Sequence, residues 1–448
     1  MAAPEAPDWK FDEAPKGLRS LSDAGPRKVE TGGLDTPILP RLVRVVPAGP
    51  RRARLRIGSA PMRRLSFVFV LLAAGVAAQT PSPEPAPADP KSISFMEYDP
   101  PSTLVVPGHP ATRAKFAFVD VHNHQFELDE AKLRQVAADM DSLNMAVMVN
   151  LSGRGFRRTA GPDGKPRFSL REPEVLRGLI ELTERIAPGR MVHFTNVDFS
   201  QVGSAGWGER AVAELEADVA VGARGLKIYK GLGMDYLDVD GKRIAVDDPR
   251  LDPVWQACAR LGIPVLIHTA DPAPFWQPKD ATNERLYEMI EIPGRWRDPA
   301  TNVPWEQLIA EQHALFKRHP ATIFINAHLG WLGNDLARLG RLLDDCPNVH
   351  TEIGAVLAEL GRQPRFAREW LTRYQDRVMF GKDSWEPVEY HAYFRVLETA
   401  DDYFPYYRRR HAFWKIYGLD LPDPVLRKLY YENALRIVPR LDRSRLPS

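Results

Sequence analysis

The chain runs to 448 residues, enough for one large domain with extensions or for two ordinary ones, and its 44% hydrophobic and 26% charged content is that of a soluble globular protein. The formal net charge is +2, but residues 1–78 carry 13 Lys and Arg against 7 Asp and Glu and the remainder 47 against 51, so beyond the basic start nothing points to a nucleic-acid partner. Two cysteines, Cys258 and Cys346, exclude a disulfide framework, and neither stands in the paired spacing of a zinc knuckle; they read as small buried hydrophobes.

Residues 1–61 are rich in Pro and Arg and show no sustained periodicity. From Met62 the chain reads MRRLSFVFVLLAAGVAAQT: two arginines, an apolar run over 65–78, and small residues Val76 and Ala78 ahead of a cleavage point at Gln79. This pattern predicts a secretory signal peptide at 62–78, translation effectively beginning at Met62 with 1–61 untranslated or disordered, and export to the periplasm or beyond. The run falls short of the roughly 20 residues a spanning helix needs. An internal membrane anchor and a buried apolar strand are the competing readings, and no cysteine follows that would take a lipid. Residues 79–101, with PSPEPAPADP, read as a Pro-rich linker, so folded structure is expected over 102–440.

Beyond the linker, short β-branched runs alternate with amphipathic ones. Strands are expected at 116–122, 146–151, 191–197, 223–229, 264–268, 322–328, 349–353 and 378–382. Helices are expected at 129–143, 173–186, 209–221, 251–261, 305–318, 335–343 and 364–374. Eight strands with intervening helices suit an α/β fold of the (β/α)8 TIM-barrel type, with extended loops after strands five and eight. A doubly wound open sheet competes, but it does not explain why polar residues collect at strand ends.

The first strand, FAFVDVHNH, ends in His122 and His124, and residues two apart on a strand point the same way. Such a pair alone is weak. It gains weight because IPVLIHTADP ends in His268, TIFINAHLGW in His328 and RVMFGKDSW in Asp383, each after an apolar run and at the same relative position. His109, His193, His313, His319, His350, His391 and His411 are scattered and read as surface or packing histidines.

The set DVHNH, IHTADP, NAHLGW, FGKDSWEP and the closing YYENALRIV, with Asn433 and Ala434, resembles the amidohydrolase superfamily, in its branch of metal-dependent hydrolases and decarboxylases. The resemblance covers about 102–440 and implies that His122, His124, His268 and Asp383 surround a divalent metal while His328 faces the substrate. Imidazole and carboxylate together suit zinc, with manganese or another first-row ion as alternatives. It further implies that Asp383 takes a proton from an activated water and that His328 polarises the scissile carbonyl or steadies its oxyanion. In GLKIYKGLG, Lys227 and Tyr229 point inward together. Lys227 either binds substrate, or is carboxylated and joins His268 and His328 on a second ion, as in two-metal members, or pairs with an acid such as Glu352.

The loop after strand five carries Phe275, Trp276, Tyr287, Trp296 and Arg297, and the loop after strand eight is equally rich in Trp, Tyr and Phe. Such loops lie over the mouth, as lids or as ordinary packing. The expected activity is metal-dependent hydrolysis of an amide, ester or lactone of a small molecule. Non-oxidative decarboxylation of an aromatic or unsaturated acid is the alternative within enzymes, and a non-catalytic exported binding protein the alternative outside them. The expected partner is a small-molecule substrate, with no nucleic acid and no membrane once the signal is removed; a homo-oligomer stays open.

Overall fold

The computed structural model describes residues 89–160, 166–408, 410 and 414–447. The expected start at Met62, the signal peptide at 62–78 and the first part of the linker lie outside them. No helix among the described residues is long and apolar enough to cross a membrane.

Eight strands run in parallel: β1 Phe118–Asn123, β2 Met145–Asn150, β3 Met191–His193, β4 Leu226–Ile228, β5 Val265–Ile267, β6 Phe324–Asn326, β7 Val349–Glu352 and β8 Val378–Met379. Continuous ladders join β1 to β2 to β3 and β4 through β8. Two seams close the ring. Thr195 pairs with Leu226, its N–H donating to Gly225 O at 2.9 Å, and Asn123 pairs with Asp383, while Val121 N–H donates to Phe380 O at 2.9 Å. The fold is therefore a (β/α)8 barrel.

Local chemistry explains the outer layer. In α1, Glu130–Leu143, the buried positions Leu133, Val136, Met140 and Leu143 recur at spacings of three and four, which places one apolar stripe on the barrel. Asp129 caps its start by accepting Lys132 N–H at 2.8 Å, and Asn144 ends it in the left-handed region. Then come α2 Pro173–Ile186, α3 Trp207–Val221, α4 Asp252–Leu261, α5 Trp305–Arg318, α6 Leu336–Asp345 and α7 Pro364–Arg373, one between each later pair of strands. The β1/β8 seam is filled by Phe118, Phe380, Phe394 and Tyr430, with Phe118 and Phe380 centroids 4.7 Å apart. Each fully buried apolar side chain of this size contributes about 1.5–3 kcal/mol.

The long connections carry structure of their own. Short helical turns, among them Ala273–Trp276 and Leu286–Glu291, occupy the loop after β5; α8, Pro387–Glu398, and a small antiparallel pair, Phe404–Pro405 with Lys415–Ile416, occupy the loop after β8. A further hairpin, Phe156–Ala160 with Pro166–Leu170, follows β2 in a stretch where no element is expected from the sequence. Its alternation is short and charged, so it carries little apolar periodicity.

Candidate metal centre

The β1 strand buries Asp120 and His122 completely and delivers His124 just past its end. His122 Nδ1 lies 2.9 Å from Glu352 Oε1, both side chains fully buried. A carboxylate accepts, so Nδ1 donates here and Nε2 is the nitrogen left to face the centre. Nε2 lies 3.3 Å from Asp383 Oδ1, and His124 Nε2 stands 3.8 Å from the same oxygen. Two imidazole nitrogens and a carboxylate oxygen are turned on one point, and this donor set fits a divalent ion.

A second group of close ligand atoms, His122, His328 and Glu352, is of another kind. Glu352 Oε1 also accepts His328 N–H at 2.6 Å and Oε2 accepts Gly354 N–H, so this carboxylate stands behind the histidines and holds them. Burial alone would raise its pKa, but His122 and the neighbouring N–H donors reverse the shift and keep it ionised.

His328 leaves β6 in a tight left-handed turn. His328, Leu329, Gly330 and Trp331 have φ of 59°, 53°, 60° and 54°, which costs about 1–2 kcal/mol for each non-glycine residue. The turn is held by Glu352 and by His328 Nδ1, which donates to Gly354 O at 2.8 Å. Nε2 is therefore a lone pair, buried and without a partner among the described residues. Burial lowers this imidazole to about 4, with His122 adding to the effect. A neutral ring in this tautomer presents a lone pair that accepts a proton or binds an ion.

His268 follows β5 directly, but it is not among the residues whose ligand atoms converge with those of His122, His124 and Asp383. Its Nε2 accepts Trp331 Nε1–H at 3.3 Å, and its ring lies 4.5 Å from that of His328. His328 in turn lies 4.7 Å from His122, so His268 stands one imidazole away from the centre. Burial lowers His268 and His124 well below the ordinary value, leaving both neutral.

Lys227 is 1% exposed, with Nζ 3.4 Å from His122 Nε2 and 5.4 Å from the Tyr229 ring. Burial pushes the amine down to about 8, against the pull of Asp383 and Glu352. It makes no ion pair with Glu352 among the described residues. Tyr229 donates to Leu151 O at 3.1 Å and, with His124, Phe126, Asp383, Ser384 and Trp385, lines a cavity of about 430 Å³. Burial would raise Asp383, yet the basic groups around it, His122 foremost, hold it well below the usual carboxylate range.

The sequence names Glu352 only as a possible partner of Lys227, and it gives Asp120 and Trp331 no part in the site. Glu352 ends its strand, as the candidate ligands end theirs, and that position was its signal. Asp120, two residues before His122, accepts Tyr390 O–H at 2.6 Å, His122 N–H at 3.0 Å and Lys382 N–H at 3.2 Å, tying β1 to the segment before Asp383. Trp331 had no signal beyond its place in NAHLGW.

Among solved structures, similarity extends to an uncharacterized TIM-barrel protein from Bordetella bronchiseptica (13% identity, 71% of this chain and 97% of the other, TM-score 0.42). It also extends to a 2,6-dihydroxybenzoate decarboxylase from Rhizobium (15%, 72% and 98%, 0.42) and a 4-oxalomesaconate hydratase from Rhodopseudomonas palustris (14%, 73% and 97%, 0.44). No curated protein matches the chain in sequence. The Amidohydrolase family profile matches residues 195–440, more than half the chain and starting just past β3, and the chain belongs to the amidohydrolase family.

Proposed function

We propose that the chain is a metal-dependent hydrolase acting on an amide, ester or lactone bond of a small molecule. The observation that carries this reading is the convergence of His122 Nε2, His124 Nε2 and Asp383 Oδ1 at the mouth of the barrel, with Glu352 fixing the tautomer of His122 from behind. These three residues would hold a divalent ion, of which zinc suits the donors best, and His268 would join them if Trp331 released its Nε2. When bound, such an ion supplies an acidified water and polarises a substrate carbonyl. Asp383, ionised and about one-third exposed, would accept a proton from a water held at the centre, and the lone pair of His328 Nε2 would offer a second acceptor deeper in the site. Phe126, Tyr229 and Trp385 wall the cavity and would exclude bulk water from an apolar substrate body.

One observation favours a second reading with the same residues. Lys227 sets a buried amine beside His122, where it would meet a substrate carboxylate, as decarboxylation of an aromatic or unsaturated acid requires. Elemental analysis of the wild type, His122→Ala and Asp383→Ala, followed by a screen of amides, esters, lactones and aromatic acids with carbon dioxide as a separate readout, tests both. Metal near one per chain that is lost in both variants supports the centre. A wild type that retains no divalent ion after reconstitution removes it.

A further inference from the structure

Buried and half-buried cations gather where the connections after β5 and β8 meet the barrel mouth. Asp271 accepts from Lys230 Nζ and Arg297 Nη2, both at 2.7 Å. Glu288, 1% exposed, is approached by Arg285 at 2.8 Å, by Arg295 and by Arg410 at 3.8 Å, and Arg285 also reaches Glu359. Beside Asp383, Glu389 pairs with Lys382, while Arg408 extends to Ser384 Oγ at 3.5 Å. Each of these three groups holds one more cation than carboxylate among the described residues, with Asp383 counted in the centre. Residues 79–448 as a whole carry 47 basic against 51 acidic side chains, so the excess is local.

The surplus charge rests on Arg408 and Arg410. The Nε of each is buried and without a partner among the described residues. Arg408 makes no ion pair there, and the contact of Arg410 with Glu288 is long. Arg295 feels the crowding: burial first, then Arg410, lowers its guanidinium to about 10. Both side chains are partly exposed, Arg410 to 28%, so their outer nitrogens can meet a ligand from solvent, while a guanidinium nitrogen withdrawn from water is normally paired. The collar also adjoins the centre on two sides. Ser384, which Arg408 touches, lines the same cavity as His124 and Asp383, and Arg285 and Glu359 line a small cleft with Trp331, which stacks on His328 at 4.5 Å.

We propose that these two connections form an anion-binding collar above the centre, in which Arg408 and Arg410 take an oxyanion, a carboxylate or a phosphate, carried by the molecule whose reacting group lies at His122, His124 and Asp383. The assignment rests on the metal-centre reading and names the substrate class of that site. Low-dielectric aromatic walls beside surplus cations focus the field on an incoming anion.

The collar is tested by binding alone. Inorganic phosphate and, separately, succinate are titrated into the purified full chain by calorimetry, against sodium chloride of equal ionic strength. Saturable binding is expected, weakened about tenfold or more by Arg408→Gln and by Arg410→Gln, partly restored by Arg408→Lys and unchanged by Lys317→Gln on the outer surface. A response to phosphate marks a phosphorylated substrate and a response to succinate a carboxylic acid, and either supports the collar. Binding that persists in His122→Ala while its metal is lost supports it too. In a wild type that holds no metal, anion binding keeps the collar and removes the metal-centre reading alone. Absence of saturable binding of both anions, binding unchanged in both Gln variants, or binding lost together with the metal in His122→Ala overturns the proposal.

Discussion

Glu352 Oε1 accepts the Nδ1 proton of His122 at 2.9 Å, and neither side chain has exposed surface. The same carboxylate takes the N–H groups of His328 and Gly354, so the end of β7 fixes a candidate ligand from β1 and the strained turn after β6 together. A carboxylate behind a ligating imidazole sets its tautomer and raises its basicity.

Glu352→Gln is therefore expected to weaken metal binding without removing a ligand. The amide offers one acceptor and turns its NH2 group toward a buried donor, so at least one of His122, His328 and Gly354 loses its partner. Affinity should fall roughly 10–100-fold, read by competition with a chelator of known strength. Affinity within twofold of wild type would show that Glu352 has no part in holding His122.

Gly381, just past β8, tests the same contact from the other side. A Cβ there would overlap the Glu352 carboxylate and stand 3.0 Å from His122 Cβ. Gly381→Ala is expected to cost about 1–3 kcal/mol in denaturant unfolding and to loosen metal binding as Glu352 yields. Gly178, inside α2 with nothing within 4 Å of an added Cβ, is the control. Gly178→Ala should leave metal binding unchanged and add up to about 1 kcal/mol of stability.

His328→Ala separates a one-ion centre from a two-ion one. In the one-ion arrangement the Nε2 lone pair serves as a proton acceptor, so turnover should fall about 10²–10⁴-fold while metal content stays near one per chain. If a carboxylated Lys227 with His268 and His328 instead held a second ion, His328→Ala and Lys227→Ala would each lower the metal ratio from near two toward one. Elemental analysis with bicarbonate present distinguishes the two, and a falling ratio in both variants would reassign His328 as a ligand.

The barrel was legible because its signals are local. All eight strands fall inside or within two residues of the expected runs, and α2 and α5 coincide with theirs, since each carries its own apolar periodicity and its own end signals. His122, His124 and Asp383 were legible for a related reason: strand ends feed one rim. What the sequence does not encode locally is which way a residue turns after its strand ends. His328 and Trp331 are placed by a left-handed turn, and that turn puts an indole N–H on His268 and a carbonyl on His328 Nδ1. Glu352 belongs to the site through contacts with residues 24 and 230 positions away, which no periodicity announces.

His193, at the end of β3, gives a prediction that does not depend on the centre. Thr183 Oγ1 donates to Ile180 O at 3.0 Å, so it can only accept from His193 Nε2, also at 3.0 Å, and Nδ1 then accepts from Asn150 Nδ2 at 3.4 Å. Protonating Nδ1 would set one N–H against another in a site 2% exposed, and burial holds the imidazole down to about 3. The unfolded chain, with the ordinary value of 6.5, takes up the proton first. This contribution to stability is therefore complete above about pH 6.5, is lost as pH falls below that, and levels off near pH 3. At pH 5 the loss amounts to about 2 kcal/mol for this one group. His193→Gln, whose amide can still donate to Thr183 and accept from Asn150, should lose correspondingly less stability between pH 7 and pH 5 in urea unfolding. If variant and wild type lose equal amounts over that interval, His193 is not held neutral by its partners and the acid sensitivity of the barrel lies elsewhere.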